Sequence, residues 1–171
     1  MPDSLPSSLL PELIDLLERI GDRIETFVTL LDAEETAIRA WSFEELSRIN
    51  SAKHDRLEEI RRLEEHRAAV IEHIADAWHV PASALDLSDL AQRVESGGAA
   101  RLRQLQSRLH KAAETAKEKN RYLAVLVARS LEFFRESMDI FRPSSNEIGL
   151  YSASGSRRTI TVETGLVERR E

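Results

Sequence analysis

Five histidines, His54, His66, His73, His79 and His110, and thirty acidic residues are the groups that could do acid–base or metal chemistry in this chain. A helical zinc pair needs its two imidazoles one turn apart, at i and i+4. His66 and His73 share a helix face but are seven residues apart, about 10 Å along the axis. No carboxylate or histidine lies midway between them on that face. The chain has no cysteine, which removes thiolate zinc sites, cysteine nucleophiles and disulfides together. There is no glycine-rich phosphate loop and no Gly-x-Ser-x-Gly turn. Nor does any carboxylate pair stand out from the ordinary surface charge of so acidic a chain. These residues imply no enzyme, no cofactor and no metal site.

Charge narrows the partners. Twenty-four basic against thirty acidic residues give a net charge of −6, whereas phosphate binding rests on clustered Lys and Arg. Arg61-Arg62, Lys117/Lys119/Arg121 and Arg157-Arg158 are interleaved with acids and have few aromatics for base stacking, so nucleic acid is not expected. No window approaches the ~18 uncharged apolar residues of a membrane span, and Met1-Pro2-Asp3-Ser4 lacks the basic start of a secretory leader. The expectation is a cytoplasmic protein without membrane insertion.

What the sequence does offer is surface for contact. From about Tyr122 the apolar residues cover close to half of a helical cylinder. One stripe runs Leu102, Leu105, Leu109, Ala113, Ala116, Asn120, Leu123, Val127, Leu131, Phe134, Met138 and Phe141. A second, about 100° around it, holds Tyr122, Leu126, Phe133 and Ile140. Such an arc is either buried within a bundle or left open to receive an amphipathic partner helix. Both remain open at this point. Polar residues also sit at core-register positions: Glu35 in the first helix, Lys53 and Arg67 in the second, Asn120 in the last. Snorkelling, with stems buried and charges in water, is the expectation for Lys53 and Arg67; Asn120 is too short for that and needs a partner or a wet interface.

The elements that position these residues follow from the punctuation. Pro and Gly cluster at the N-terminus, at Pro81, at Gly97-Gly98 and from Pro143 onward, with three- and four-residue apolar steps between. The reading is all-α: long antiparallel helices forming a coiled-coil-like bundle, with a flexible C-terminal tail. Helices are expected at about 9–40, 42–78, 87–95 (short) and 99–142, in a bundle domain over 1–143 followed by a tail over 144–171. Ser42 with Glu45 has capping-box spacing, Asp86 or Ser88 can cap the short helix, and Gly97-Gly98 reads as its end.

A resemblance emerges from the order of these features. Asn120-Arg121-Tyr122-Leu123, Ser130-Leu131-Glu132-Phe133, Phe141-Arg142-Pro143 and Leu150-Tyr151-Ser152-Ala153-Ser154-Gly155 resemble the C-terminal half of the FlgN-like flagellar export chaperones: an Asn, an apolar helix ended by Pro, then Tyr-x-x-x-Gly in a tail. Upstream, Asp32-Ala33-Glu34-Glu35, Lys53 and Arg67 fit the same pattern, over most of residues 9–155. Family members often carry Asp after the Tyr, where this chain has Ser152. The resemblance implies a cytoplasmic chaperone of flagellar type III secretion, with the hook-associated proteins of the hook–filament junction as clients, bound through their terminal helical segments. Carried onto this sequence, it implies client binding by Asn120, Tyr122, Leu123, Leu126, Val127, Phe133, Phe134 and Ile140, and docking on the export gate by Tyr151 and Gly155. The competing expectation is a self-associating structural coiled coil; monomer and homodimer are both compatible with the sequence.

Overall fold

The computed structural model describes residues 8–141, 147–151 and 157–161, with side chains described through residue 139. The elements are α1 (Leu9–Arg39), α2 (Phe43–Ala77), a 3-10 turn (Ala82–Ala84), α3 (Leu87–Arg93), α4 (Ser96–Phe141), β1 (Glu147–Tyr151) and β2 (Arg157–Thr161). The all-α bundle read from the periodicity is the fold that forms. Two compact units divide the chain at Ala128. Asn120, Tyr122, Leu123, Leu126 and Val127 fall in the first and Phe133 and Phe134 in the second. The side chains of Ile140 and Tyr151, and the whole of Gly155, lie outside the described residues.

In the first unit, side-chain pairs set the helix directions. Glu12 meets His66, Arg23 meets Glu59 and Glu34 meets Lys53, so α1 and α2 are antiparallel. Glu18 meets Arg101, Glu25 meets Arg108 and Asp32 meets Lys119, so α4 runs parallel to α1. The result is an up–down–up arrangement in which residues 78–95 cross the open end. Their Leu85, Leu90 and Ala91 are buried with Leu13, Leu16 and Leu17 of α1, Val70, Ile71, Ile74 and Ala75 of α2 and Ala99, Leu102 and Leu105 of α4. A second, smaller cluster holds Phe27, Leu31, Ile38 and Leu123, with Leu46, Ala116 and Leu126 against it.

Lys53 departs from expectation. Its ammonium does not reach water beyond the helix but donates to Glu34 Oε2 at 2.5 Å in the α1–α2 interface, with the two side chains only 18% and 14% exposed. The second helix faces an acidic residue there, so pairing replaces snorkelling. Arg67 does keep to its own helix surface, donating to Glu64 at 2.6 Å. Lys53→Ala should lower unfolding stability by about 2 kcal/mol, because it leaves a half-desolvated carboxylate without its partner. Replacing both residues by Leu should restore most of it, as urea titration of the single and double variants will read.

Glycine and capping details also differ from the sequence reading. Gly97 and Gly98 do not end α3; they lie in the first turn of α4, which Ser96 opens. A Cβ on Gly98 would sit 2.9 Å from Leu10 Cδ2, so the glycine admits α1 close to the start of α4. Ser42 occupies the N-cap of α2 but makes no side-chain cap bond, whereas Asp86 and Asp89 form the reciprocal capping box of α3. The ends of α1 and α2 share a left-handed closure. Trp41 and His79 both have φ of 52°. In each case two amides turn back onto the last turn: Trp41 and Ser42 onto Ile38 and Ala37, His79 and Val80 onto Asp76 and Ala75. This closure is ordinarily glycine's, and a side chain there costs about 1–2 kcal/mol. His79 is exposed, and His79→Gly should raise stability by about 1 kcal/mol, visible as a higher thermal midpoint.

Candidate functional site

A continuous ladder of charge joins α1 to α4. Glu18, Glu25, Asp32 and Arg39 recur every seven residues. Opposite them, Arg101 donates to Glu18 from Nε at 2.8 Å, Arg108 to Glu25 and Asp22 at 2.7 Å, and Lys119 to Asp32. The Arg108 guanidinium passes over Gly21, where a Cβ would stand 3.4 Å from Cζ. It also holds the Glu25 carboxyl below its ordinary range, chiefly through that hydrogen bond. Tyr122 closes the series: its Oη accepts from Arg39 Nη2 at 2.6 Å and donates to Glu35 Oε1 at 3.2 Å. These pairs are half exposed and worth ~0–1 kcal/mol each; their seven-residue spacing fixes register more than stability.

That register decides which face of α4 is covered. The residues turned toward α1 and α2 are Leu102, Leu105, Leu109, Ala112, Ala116, Lys119, Leu123 and Leu126, at alternating steps of three and four. This is a 3.5-residue seam. The apolar stripe in the sequence has a 3.6-residue period, and the two drift apart by about 20° per heptad. Hence Ala113, Asn120 and Val127, which the stripe places in the core, are exposed in the structure. Asn120 is therefore on the exposed side of α4 rather than in the core.

The expected contact residues therefore separate. Leu123 is 5% exposed within the second cluster, and Leu126 is half-buried against it. Tyr122, Val125 and Val127 of the first unit are exposed, and so are Leu131, Phe133, Phe134 and Met138 of the second, with Phe133 at 64%. Around the helix axis these last four span an arc of about 160° at 100° per residue, flanked by Arg129 and Arg135, for which no ion pair forms among the described residues. Val125 in the first unit, and Leu131 and Met138 in the second, are exposed although the sequence reading did not name them as contacts. The signal was present, in the conflict between the 3.5 and 3.6 periods. At the α1–α2 turn, Trp41 and Phe43 are exposed as well, Phe43 at 73%.

No group of three or more His, Asp or Glu among the described residues could hold a metal ion. The shallow groove of about 560 Å³ between α1 and α4 is lined by Glu25, Arg108 and Lys111. Arg108 is already neutralised by Glu25 and Asp22. Among the described residues no helix is long and apolar enough to cross a membrane. Among the described residues, what the fold presents is a helical bundle with large apolar side chains exposed on its last helix.

A family model described as FlgN protein matches residues 1–159. The chain belongs to the FlgN family, a family of flagellar export chaperones. No curated protein and no solved structure matches it.

Proposed function

We propose that this chain is a cytoplasmic flagellar export chaperone. It binds terminal helical segments of the hook-associated proteins that join hook to filament, prevents their premature assembly and delivers them to the type III export gate. The observation that carries this reading is the exposure of Leu131, Phe133, Phe134 and Met138 on one helix. Four large apolar side chains in so short a stretch form a patch of the kind that marks a binding surface. An amphipathic client helix is its natural complement, because client segments built to pair with neighbours in a filament are aggregation-prone alone and are shielded by pairing here. In the first unit, Tyr122, Val125 and Val127 are exposed contacts of their own. Tyr151 and Gly155 dock on the gate.

The test is titration calorimetry of the full chain against the purified terminal segments of hook-associated proteins from the same genome. A saturable complex with low-micromolar or tighter affinity is expected. No association at tens of micromolar overturns the reading, and a tight oligomer that client does not alter would favour a self-associating coiled coil instead.

A further inference from the structure

The two apolar clusters of the first unit are unequal, and residues 112–128 of α4 pack against the weaker one. Thirteen residues from α1, α2, α3, α4 and the connection at Leu85 make the first cluster. The second has four buried residues, of which Leu123 alone comes from α4. Between them the seam of α4 reads Ala112, Ala116 and Lys119, two methyl groups and an ammonium where the first cluster has Leu102 and Leu105. Opposite this stretch α1 presents Val28 and Asp32, and a groove lined by Val28, Ala112 and Thr115 opens between the two helices. The ion pair that ties α4 to α1 here, Lys119 with Asp32, is solvent-accessible, with Asp32 54% exposed. At the far end of α1 the chain turns through Trp41 at φ 52°, a left-handed position that a tryptophan holds at a cost.

We infer that residues 112–128 of α4 form a clasp that opens from α1 independently of the first cluster, and that client binds the open form. The inference rests on the chaperone reading and deepens it by supplying the site's regulation. Leu123 and Leu126, covered in the closed form, flank Tyr122 and Val127 in sequence. On opening they complete one apolar face over Tyr122–Val127. The closed clasp keeps Leu123 and Leu126 largely out of water when no client is present. Client affinity is then the intrinsic affinity multiplied by the fraction of open clasp, so α1 residues that never touch client control how tightly it binds.

The two tryptophans test this directly, since Trp41 lies at the clasp end and Trp78 packs against the first cluster. Trp78→Phe leaves Trp41 as the reporter, and Trp41→Phe leaves Trp78. In urea the Trp41 signal should change at lower denaturant than the Trp78 signal. Leu31→Ala, which removes an α1 side chain of the clasp, should lower the Trp41 midpoint further and leave the Trp78 midpoint in place. It should also tighten binding of the client segments about tenfold. Lys119→Leu should do the reverse, raising the Trp41 midpoint and weakening client binding. Coincident midpoints overturn the clasp. So does a Leu31→Ala protein that binds client no better than the parent, since a merely structural leucine would leave affinity unchanged or reduce it. If neither the parent nor any variant binds client, the chaperone reading itself falls, and the regulation proposed for it falls too.

Discussion

Phe133→Glu combined with Phe134→Glu is expected to reduce client affinity at least a hundredfold while leaving helix content and thermal midpoint essentially unchanged. Both rings are more than half exposed, so charge at these positions desolvates nothing when client is absent, and surface substitutions of that kind usually move stability by less than about 0.5 kcal/mol. Buried aromatic anchors at a protein interface commonly contribute about 2 kcal/mol or more each. Two of them, allowing for non-additivity, correspond to a hundredfold or greater loss. Calorimetry reads the affinity and circular dichroism the fold. A variant that lost helix content along with binding would show that these rings hold the bundle together, and the assignment of this face to client would be wrong.

The largest effect on stability is expected at Ile74. It is fully buried in the first cluster, where α1, α2 and α4 meet. Truncation to Ala removes its apolar transfer free energy and leaves a cavity that three helices cannot close together, for a loss of about 2–5 kcal/mol. For a chain of this size that lowers the thermal midpoint by roughly 10 °C. Leu131→Ala, the same chemical change at a half-exposed position, should cost under about 0.5 kcal/mol. The contrast checks the division between structural and contact residues, and equal losses at the two positions would dissolve it.

Much of the fold could be read from the residues because punctuation and period agree over most of the chain. The expected first helix ends within a residue of α1, since its leucines and isoleucines keep their steps up to the turn before Trp41. Asp86 was recognisable as a cap because Asp89 stands three residues on. Where the reading went astray, a tertiary neighbour decided the outcome. A glycine pair is a stop signal by propensity, yet the first turn of α4 accepts it because Leu10 lies where a side chain would project. Lys53 looks like a snorkelling residue until Glu34 is found across the interface. Trp41 and His79 give no sequence hint of left-handed backbone, since the signal for it is glycine. The candidate site was half legible. Phe133 and Phe134 are exposed, whereas Leu123 is buried, because there the seam toward α1 and the apolar stripe of α4 coincide.

The parallel pairing of α1 with α4 has a consequence for the order in which the chain assembles. Lys53 finds Glu34 across a separation of 19 residues, whereas Arg101 and Arg108 find Glu18 and Glu25 across 83. Closing the larger loop costs more chain entropy before any contact offsets it. On a growing chain the α1–α2 hairpin therefore precedes the arrival of α4, and the leucines of the first cluster stand uncovered until residues 99–105 emerge and dock. The part of α4 proposed to hold client is synthesised after that and is the last of the long helices to find its place, so a chain stopped short of it retains the hairpin without the surface for which the hairpin serves as scaffold.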